Sequence, residues 1–573
     1  MTDRSRVKMG AYKSNYAGIS RRDILRATAI IPASFIIPGW LPANAQTTTT
    51  KFDYYISTNG SDSNPGTLAS PWAVTSMSLT AHNSNNVANC RLQAGKRIGF
   101  LPGTYDVSGI MYNDPVSGAL QIIGGSSSAS TYWGSSDSSG NYSPRTATFD
   151  AKGSRGIFGG NHSTGPGVWD GPIVAHIGKY PATYAIGYAI LDGLRFTGFS
   201  YKGVRIGDGS YEGGGVDLIT NPVLITNCEF FGGGFNAGDS VDNCAALWID
   251  ANNHAVTANN NYFHDTVGHT AGSGDHLNAI IVWGFGAICT GTMIEFNTCV
   301  NAGNIYGKEG GVSGTTIQNN YIDTSMFTAA AGVQDFTGNG QGVSGLTATT
   351  TIQNNICIVN GGGTAAFESF GGISTLSLID VGWMTPIIVR NNTVINTSGS
   401  GALVGFTQVN ASSSGVGQAR YYNNIYVDHG SGGSLNGWGN YRTNPQALAL
   451  SDYNLNPASG VTWILTQNAS LGGAIGSYTS YSAFAAGLAS HGGISGVEAH
   501  SLTGVPKFTG TGSFAAQYQL ASGSAGKGAG STTGVSGGAA TDMGAWGNGA
   551  TQVGCNFTSG AVKTPDSPAL TVT

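Results

Sequence analysis

The sequence predicts an all-β fold, a right-handed parallel β-helix with an asparagine ladder and a cap at each end. Three observations indicate it. A six-residue motif recurs along the middle of the chain, its copies are spaced like solenoid coils, and the composition suits short strands and tight turns. Glycine is abundant, with 90 residues among 573, and only 10% of the residues are charged. Hydrophobic residues make up 40%, which supplies a core and excludes a disordered chain.

The motif reads apolar, any, Asn, Asn, any, apolar. Its eight copies begin at Leu191, Ile225, Ala258, Ile294, Ile317, Ile352, Val389 and Tyr421. Successive copies are 34, 33, 36, 23, 35, 37 and 32 residues apart. The 23-residue step is close to a minimal coil, so the longer steps predict loops that leave the solenoid. Such loops are where binding and catalysis usually lie.

The fourth position of the motif predicts the ladder, because Asn occupies it in six of the eight copies. The eight residues are Leu194, Cys228, Asn261, Asn297, Asn320, Asn355, Asn392 and Asn424. An Asn that recurs once per coil can hydrogen-bond to its counterparts along the stack while it fills a tight turn. Coils stacked in this way pair as parallel strands about 4.8 Å apart. Leucine-rich repeats and short left-handed β-helices do not fit, because neither the leucine frame nor a hexapeptide period is present.

The N-terminus has the pattern of a twin-arginine signal peptide over residues 1–45. Arg21 and Arg22 precede an apolar stretch that ends in the small-residue pattern Ala43-Asn44-Ala45. The chain is therefore expected to be periplasmic or secreted, and no later stretch is apolar enough to span a membrane. Residues 46–110 are predicted to form opening strands and a cap, residues 111–430 the coils, and residues 431–573 the final irregular coils and a tail.

Net charge and cysteine content limit the kinds of ligand and partner that the protein is expected to bind. The net charge of −5 gives no indication of nucleic acid or an anionic membrane as a partner. Seven cysteines at irregular spacing, without a C-x-x-C pair, disfavour a zinc site and predict buried free thiols. We expect a monomer that acts on a polysaccharide or oligosaccharide.

Three segments carry a resemblance to a known group of proteins. Tyr54 to Thr67, with Trp72 shortly after, is similar to the opening of pectate-lyase-like β-helix proteins, and Phe100 to Tyr105 is similar to the segment that leads into their first coils. Tyr518 to Trp546 resembles the closing segment of many exported members. The resemblance implies a carbohydrate-active β-helix protein. The superfamily contains polysaccharide lyases, glycoside hydrolases, epimerases and non-enzymes, so fold alone leaves the activity open.

Lys308 is the sharpest catalytic candidate. Its context, Ile305 to Glu309, resembles the catalytic-lysine coil of the alginate lyase and chondroitinase B family, and this implies a lysine base for β-elimination. A lyase removes the proton next to a sugar carboxylate and needs positive charge to hold the developing enolate. The sequence departs from that family in the following coil, where Gln334 and Asp335 stand in the region that carries an Arg.

The loops between the motif copies hold the densest run of titratable and aromatic residues. The predicted catalytic residues are Lys308, Glu309, Asp250, Asp275, His276 and Glu368. The predicted substrate-binding residues are Trp248, Trp283, Tyr306, Phe367 and His269, whose rings can stack on or hydrogen-bond to sugars. Calcium is the possible cofactor, held by Asp239, Asp242 and Asp265, with Asp275 as a further candidate.

The charge balance keeps three functions open. From Leu191 to Gly430 there are six Lys and Arg against seventeen Asp and Glu, an imbalance that disfavours a metal-free lyase of a polyanion. A lyase acting on a uronic-acid glycan is the leading prediction. A glycoside hydrolase with a carboxylate pair is the first alternative, and a non-catalytic glycan-binding or surface β-helix protein is the second.

Overall fold

The protein is described here as a computed structural model, in which Lys51–Thr573 forms one compact unit. The structure describes residues 52–77, 94–108, 120–122, 124–153, 173–177, 188–199, 202–207, 222–233, 243–249, 256–266, 276–283, 291–308, 314–323, 349–359, 387–396, 419–428, 441–443, 448–457, 463–466, 474–492, 496–512 and 514–556. The predicted signal peptide, residues 1–45, lies outside the described residues.

Two sheets of twelve parallel strands run along the molecule. Sheet A consists, in spatial order, of Tyr54–Ile56, Arg97–Phe100, Thr131–Ser135, Ala189–Asp192, Val223–Thr226, Val256–Asn259, Met293–Glu295, Thr316–Gln318, Thr350–Gln353, Ile387–Arg390, Ala419–Tyr422 and Leu448–Asp452. Sheet B consists of Gly103–Asp106, Ala147–Asp150, Arg195–Thr197, Glu229–Phe231, Tyr262–His264, Thr298–Val300, Tyr321–Asp323, Ile356–Val359, Thr393–Asn396, Ile425–Asp428, Leu455–Asn456 and Leu502–Thr503.

A third parallel sheet completes the coils. Sheet C has six strands, which are Leu120–Gln121, Ile173–Ile177, Lys202–Ile206, Asn243–Ile249, His276–Trp283 and Asn304–Lys308. From Leu120 to Asp323 the chain visits sheets C, A and B in that order in each coil, and each strand pairs in parallel with the strand one coil away. Parallel strands joined by such crossovers take the right-handed connection. The fold is a right-handed parallel β-helix, as predicted from the sequence and from its resemblance to pectate-lyase-like proteins.

The remaining elements lie toward the chain ends. Tyr441–Thr443, Trp463–Thr466 and Ala474–Tyr478 form a three-stranded sheet, and Gly530–Ser531 pairs with Ala540–Thr541. The described α-helix is Tyr481–Gly492, and 3-10 helices cover Val74–Met77 and Phe514–Tyr518. Phe484 and Leu488 of the α-helix are buried in the main core together with Trp463. The helix thus contributes apolar side chains to the core near the last coils.

Each coil passes from sheet A to sheet B through the two central residues of the sequence motif. The first has a positive φ, between +54° and +66°, in nine successive coils: Gly193, Asn227, Asn260, Phe296, Asn319, Asn354, Asn391, Asn423 and Tyr453. Among residues with a side chain, Asn tolerates this left-handed conformation best. This explains why Asn recurs at the third position of the motif.

The second central residue points into the helix and forms a hydrogen-bonded column. Asn261, Asn297, Asn320, Asn355, Asn392 and Asn424 each donate from Nδ2 to Oδ1 of the next Asn, over 2.9 to 3.1 Å, and Asn454 receives the last of these bonds. Each Nδ2 also donates to a backbone carbonyl, as Asn320 does to Ile294 over 3.0 Å. Leu194 and Cys228, at the start of the column, are fully buried.

The interior is apolar along the whole described stack. Val204, Ile225, Ile294, Ile317 and Val389 are among its fully buried or nearly fully buried members. Four phenylalanines of sheet B stack on one another in successive coils, with ring centroids 4.8 to 5.4 Å apart: Phe149, Phe196, Phe230 and Phe263.

The described cysteines are free thiols. Cys228, Cys299 and Cys357 are buried, and Cys555 is half-buried. Burial raises the pKa of the Cys357 thiol to about 12, so this group stays protonated and unreactive in the interior. Its surroundings suit a small apolar core residue, as the sequence analysis expected.

A C-terminal segment, residues 527–556, lies along the turns between sheets A and B. Asn423 donates from Nδ2 to the Ser531 carbonyl over 2.7 Å, and Asn354 donates to the Ala545 carbonyl over 3.0 Å. The backbone N–H of Asn556 donates to Oδ1 of Asn260 over 2.6 Å. The segment therefore runs back past successive coils, from that of Asn423 to that of Asn260.

A second apolar cluster lies between this segment and the outer face of sheet B. Tyr321, Ile356 and Ile395 of the sheet are buried against side chains that include Met543 and Ala545 of the segment. The segment covers apolar surface that a bare sheet face would expose to water.

Candidate functional site

Sheet C contains or adjoins many of the predicted site residues. Strand register aligns His176, Arg205, Trp248, Ile281 and Tyr306 in one row across five neighbouring strands. The residues on either side of Arg205, namely Val204 and Ile206, belong to the apolar core. Because side chains alternate between the two faces of a strand, Arg205 is on the outer face of sheet C, and its row partners Trp248 and Ile281 form an apolar cluster separate from the main core.

Two cations lie on the same strand of this sheet. Lys202 and Arg205 are each 1% exposed. The ammonium of Lys202 lies 4.0 Å from the centroid of the Trp248 ring on the next strand. This distance is typical of a cation–π contact, which is strongest when both groups are removed from water.

Trp248 is itself 1% exposed and packs with Ala245 and Ile281. A ring that is buried in this way has no face available to a sugar. Its position therefore does not fit the sugar-stacking role predicted for it, and the ring instead contributes packing beneath the outer face of sheet C.

Lys308 is the last residue of the last described strand of sheet C. Its register partner is Trp283, and the partner of Tyr306 is Ile281. His276 begins the preceding strand, where it is aligned with Asn243. Three strand spacings separate the strand of Lys308 from that of Lys202 and Arg205, or roughly 14 Å. One sheet thus carries Lys308, Tyr306, Trp283 and His276 together with two further cations.

The other predicted site residues of the loops lie outside the described residues. Asp250 and Glu309 directly follow two strands of sheet C, and Asp275 directly precedes a third. The complete set outside the described residues is Asp239, Asp242, Asp250, His269, Asp275, Glu309, Phe367 and Glu368.

A separate charged cluster lies on the outer face of sheet B and consists of Arg195, Glu229, His264 and Asp265. Glu229 accepts hydrogen bonds from Arg195 Nε over 2.9 Å and from Arg195 Nη2 over 3.0 Å. His264 Nε2 lies 3.0 Å from Oε1 of Glu229, and His264 Nδ1 lies 2.9 Å from Oδ2 of Asp265. Both ring nitrogens of His264 are thus within hydrogen-bonding distance of a carboxylate.

Aromatic rings flank the charged cluster. The guanidinium of Arg195 lies 4.6 Å from the centroid of the Phe231 ring, and Phe231 stacks on His264 at 5.4 Å. Tyr262 stacks on the same imidazole at 4.2 Å. Both neighbouring rings fix the orientation of His264, so the cluster is rigid.

The electrostatics of Glu229 indicate a structural ion pair. Burial would raise the pKa of Glu229, but hydrogen bonds from His264 and Arg195, with their positive charges, lower it to about 2. A glycosidase acid must hold a proton near neutral pH. Glu229 is ionised there, so it does not suit that role.

Asp265 is the predicted calcium ligand that the structure describes. Its side chain is 72% exposed, and its contact with His264 is one that a cation would have to displace. Across the described ranges, no group of three or more His, Cys, Asp or Glu side chains is arranged to hold a metal ion. The calcium prediction therefore depends on Asp239, Asp242 and Asp275, outside those ranges.

Two features of the site were not predicted. Lys202 and Arg205 are three residues apart, so the alternation of a regular strand predicts opposite faces for them, and the sequence pattern does not indicate a charged face. The charged cluster follows the Asn turn in three successive coils. Arg195 and Glu229 are register partners, and His264 lies on the next strand, two residues beyond Tyr262, the partner of Glu229. An alignment of the coils on the Asn motif brings Arg195 and Glu229 into one column.

Comparison with known proteins does not assign the chain to a family. The sequence matches no protein-family model and no curated protein. Among solved structures, pectate lyase Pel9A is 14% identical at a TM-score of 0.35, over 86% of this chain and 95% of that one. A GH136 lacto-N-biosidase from Eubacterium ramulus is 12% identical at 0.34, over 71% and 62%. A rhamnogalacturonan lyase is 13% identical at 0.28, over 71% and 81%.

These similarities are too low to bear on activity, and the fold assignment stands on the sheet topology of this chain. In the described part of the chain, no helix has the length and apolar character needed to cross a membrane.

Proposed function

We propose that the protein is an exported polysaccharide lyase, which cleaves a uronic-acid-containing glycan by β-elimination on the outer face of sheet C. The observation that carries the proposal is the common sheet of Lys308, Lys202 and Arg205. In this proposal Lys308 is the base, and the glycan approaches along the loops that flank the sheet.

The excess of Asp and Glu over Lys and Arg between Leu191 and Gly430 disfavours a metal-free lyase, and the placement of the cations bears on this point. Of the six Lys and Arg between Leu191 and Gly430, three lie in sheet C, whereas Arg195 lies in sheet B and Arg390 and Arg420 lie in sheet A. Half of the Lys and Arg residues of this stretch thus lie on the sheet of the proposed base, and two of these three are buried.

The two buried cations have an electrostatic role in this proposal. Lys202 and Arg205 are 1% exposed, so they do not reach the substrate as described, but a charge in a low-dielectric setting acts more strongly than one in water. Their field would favour the enolate that forms when the proton next to the sugar carboxylate leaves. Lys308, on the last described strand of the sheet, would take that proton. The C–O bond to the departing sugar would break as the C=C bond forms, and the leaving oxygen would receive a proton from water or from the protonated lysine.

Tyr306, Trp283 and His276 share the sheet with Lys308 and are proposed to position the sugar. Of the loop residues, Asp250, Asp275, Glu309, His269, Phe367 and Glu368 stay candidates for substrate contact or proton transfer. Calcium bound by Asp239, Asp242 and Asp275 would add positive charge for a polyanion. Export by the twin-arginine route, to the periplasm or beyond, completes the proposal, and fractionation of the producing cells tests it.

Incubation with a panel of uronic-acid and neutral glycans tests the activity. A lyase produces unsaturated chain ends that absorb in the ultraviolet, and we expect them from at least one uronic-acid glycan. New reducing ends without that absorbance would overturn the proposal in favour of a hydrolase. An absence of cleavage across the panel would favour the non-catalytic alternative.

Substitution of the base tests the assignment. Lys308→Ala should lower kcat by about a hundredfold to ten-thousandfold, the usual contribution of a general base, with an unchanged melting temperature. Lys527→Ala is the matched control, because Lys527 is an exposed lysine whose Nζ lies 2.7 Å from Asp542, away from sheet C. Full lyase activity in Lys308→Ala would exclude Lys308 as the base.

A further inference from the structure

The outer face of sheet A carries a continuous half-buried strip, which we call the sheet A strip. Its six residues are register partners on six successive strands: Leu224, Thr257, Met293, Thr316, Thr351 and Ile388. Their inward neighbours, such as Ile225 and Ile317, belong to the core. Water-facing positions on a sheet are usually polar, yet this column consists of three aliphatic residues and three threonines.

A polar ladder runs beside the strip, two residues further along each strand. Asn259 donates to Oε1 of Glu295 over 2.8 Å, and Gln318 donates to Oε2 of Glu295 over 2.8 Å. Gln353 donates to Oε1 of Gln318 over 2.6 Å, and Arg390 donates from Nε to Oε1 of Gln353 over 2.7 Å. Five side chains on five strands are thus held in one fixed row.

The ladder retains hydrogen-bonding capacity. A carboxamide offers two N–H groups and two lone pairs. Gln318 uses one N–H toward Glu295 and one lone pair toward Gln353, which leaves one of each. The unused groups repeat at the coil spacing of about 4.8 Å. This repeat is comparable with the advance of one pyranose unit along an extended glycan chain.

The dimensions favour a polymer over a protein partner. Five coil spacings give the strip a length of about 24 Å, and the two columns are about 7 Å apart. The resulting area, a few hundred square ångströms at most, is well below the roughly 800 Å² per partner of a stable protein interface. A single extended chain matches the strip in length and in width.

We propose that the sheet A strip and its polar ladder form a second glycan-binding surface, which holds a flat, ribbon-like polysaccharide along the helix axis. The apolar C–H faces of the sugar rings would lie on the strip, and the hydroxyl groups along one edge would bond to Gln318, Gln353 and Glu295. The inference rests on the proposed function in one respect, that the ligand is a glycan. The surface itself is on a different sheet from Lys308.

Adsorption to insoluble polysaccharides tests the inference. The wild-type protein should adsorb to cellulose and to crystalline mannan, whose chains are flat ribbons, and not to granular starch, whose chains coil. The variant Met293→Asp/Ile388→Asp should weaken adsorption about tenfold or more. Val505→Asp is the matched control, since Val505 is 57% exposed and lies outside the strip.

A milder variant covers the case in which two new charges impair folding. Gln353→Ala removes one rung of the ladder and should weaken adsorption several-fold at an unchanged melting temperature. Failure of the wild type to adsorb to either ribbon-like polymer would overturn the inference, as would equal adsorption of wild type and both strip variants.

Activity separates this inference from the proposed function. Lys308→Ala should adsorb like the wild type, whereas the strip variants should cleave short soluble oligosaccharides at the wild-type rate. Loss of cleavage without loss of adsorption concerns the proposed lyase site, and loss of adsorption without loss of cleavage concerns the strip.

Discussion

At the scale of single residues, the two asparagines of the motif have different tasks. The first adopts a positive φ that lets the chain turn between sheets, and the second is buried and bonds along the axis. The first task depends on backbone conformation, which Gly also satisfies, as at Gly193. The second depends on a side chain that both donates and accepts hydrogen bonds. Among the described copies of the motif, only Leu194 and Cys228 lack such a side chain, and there the column is apolar.

The middle of the Asn column should be sensitive to substitution. Asn320→Ala removes an acceptor that serves both the backbone N–H and the side chain of Asn297, and a donor to Ile294 and Asn355. Each buried group left without a partner costs about 1–3 kcal/mol, so we expect a loss of at least about 3 kcal/mol in the free energy of unfolding, measured by denaturant titration. Asn319→Gly, at the neighbouring positive φ, should change it by less than about 1 kcal/mol. Equal effects would contradict this division of tasks.

Phe296 is the aromatic residue of the middle coils that occupies the left-handed turn position, with φ +55°. Such a conformation costs a bulky residue about 1–3 kcal/mol, and Asn adopts it more readily. Phe296→Asn should therefore raise the melting temperature, as read by calorimetry. Phe296→Ala, which removes the ring without this tolerance, is the control, and a melting temperature for Asn at or below that of Ala would refute the explanation.

The charged cluster should make the free energy of unfolding depend on pH in the acidic range. The pKa of Glu229 is about 2 in the folded protein against an ordinary value of 4.5. Stability from such a carboxyl is fully present above its unfolded pKa and is lost as the pH falls through about 2. Glu229→Gln should be less stable than wild type by about 2 kcal/mol at neutral pH. The difference should shrink between pH values of about 4.5 and 2, and a constant difference in urea titrations across that interval would contradict it.

At the scale of elements, the C-terminal segment protects the edge of the stack of turns. Met543, which is 1% exposed, anchors it in the apolar cluster on sheet B. Met543→Asp places a charge in that cluster and should detach the segment, at a cost of several kcal/mol. Hydrogen exchange should then speed up in residues 527–556 and leave the amides of the Asn column protected. Val535→Asp, at a site that is 47% exposed in the same segment, should leave exchange unchanged. Exchange that rises throughout the coils would show that the segment is not a separable element.

The sequence predicted sheets A and B more completely than sheet C. Sheets A and B flank a two-residue turn with a fixed Asn pair, so each copy of the motif gives the place and the inward residues of two strands. Sheet C strands lie within stretches of unequal length, and their register with one another follows only from the structure. For this reason Lys308 was identified as a candidate, but its common sheet with Lys202 and Arg205 was not.

The charged cluster and the C-terminal segment were missed for related reasons. Arg195, Glu229 and His264 are far apart in sequence and meet because successive coils bring them together. The C-terminal segment bonds to the turns largely through its own backbone, as the Ser531 and Ala545 carbonyls do, and backbone partners leave little trace in a sequence. Its covering role was expected only from the general need to protect a solenoid.

At the scale of the whole molecule, the faces of the β-helix differ in character. The C-terminal segment covers part of sheet B, sheet C carries three of the six Lys and Arg between Leu191 and Gly430, and sheet A presents the strip and its polar ladder. A polysaccharide enzyme of this form would hold a long substrate on one face and cleave it on another. In the proposed function, the linkage between two sugars is broken at sheet C by elimination, with Lys308 as the base.

The most direct test of that claim is the mass of the cleavage products formed in water labelled with heavy oxygen. Elimination adds no water across the broken bond. Products analysed before the new hemiacetal exchanges its oxygen should therefore be unsaturated and contain no solvent oxygen, formed by wild type and Lys527→Ala and strongly reduced in Lys308→Ala. Products that carry one solvent oxygen at the new chain end, or unsaturated products formed equally well by Lys308→Ala, would contradict it.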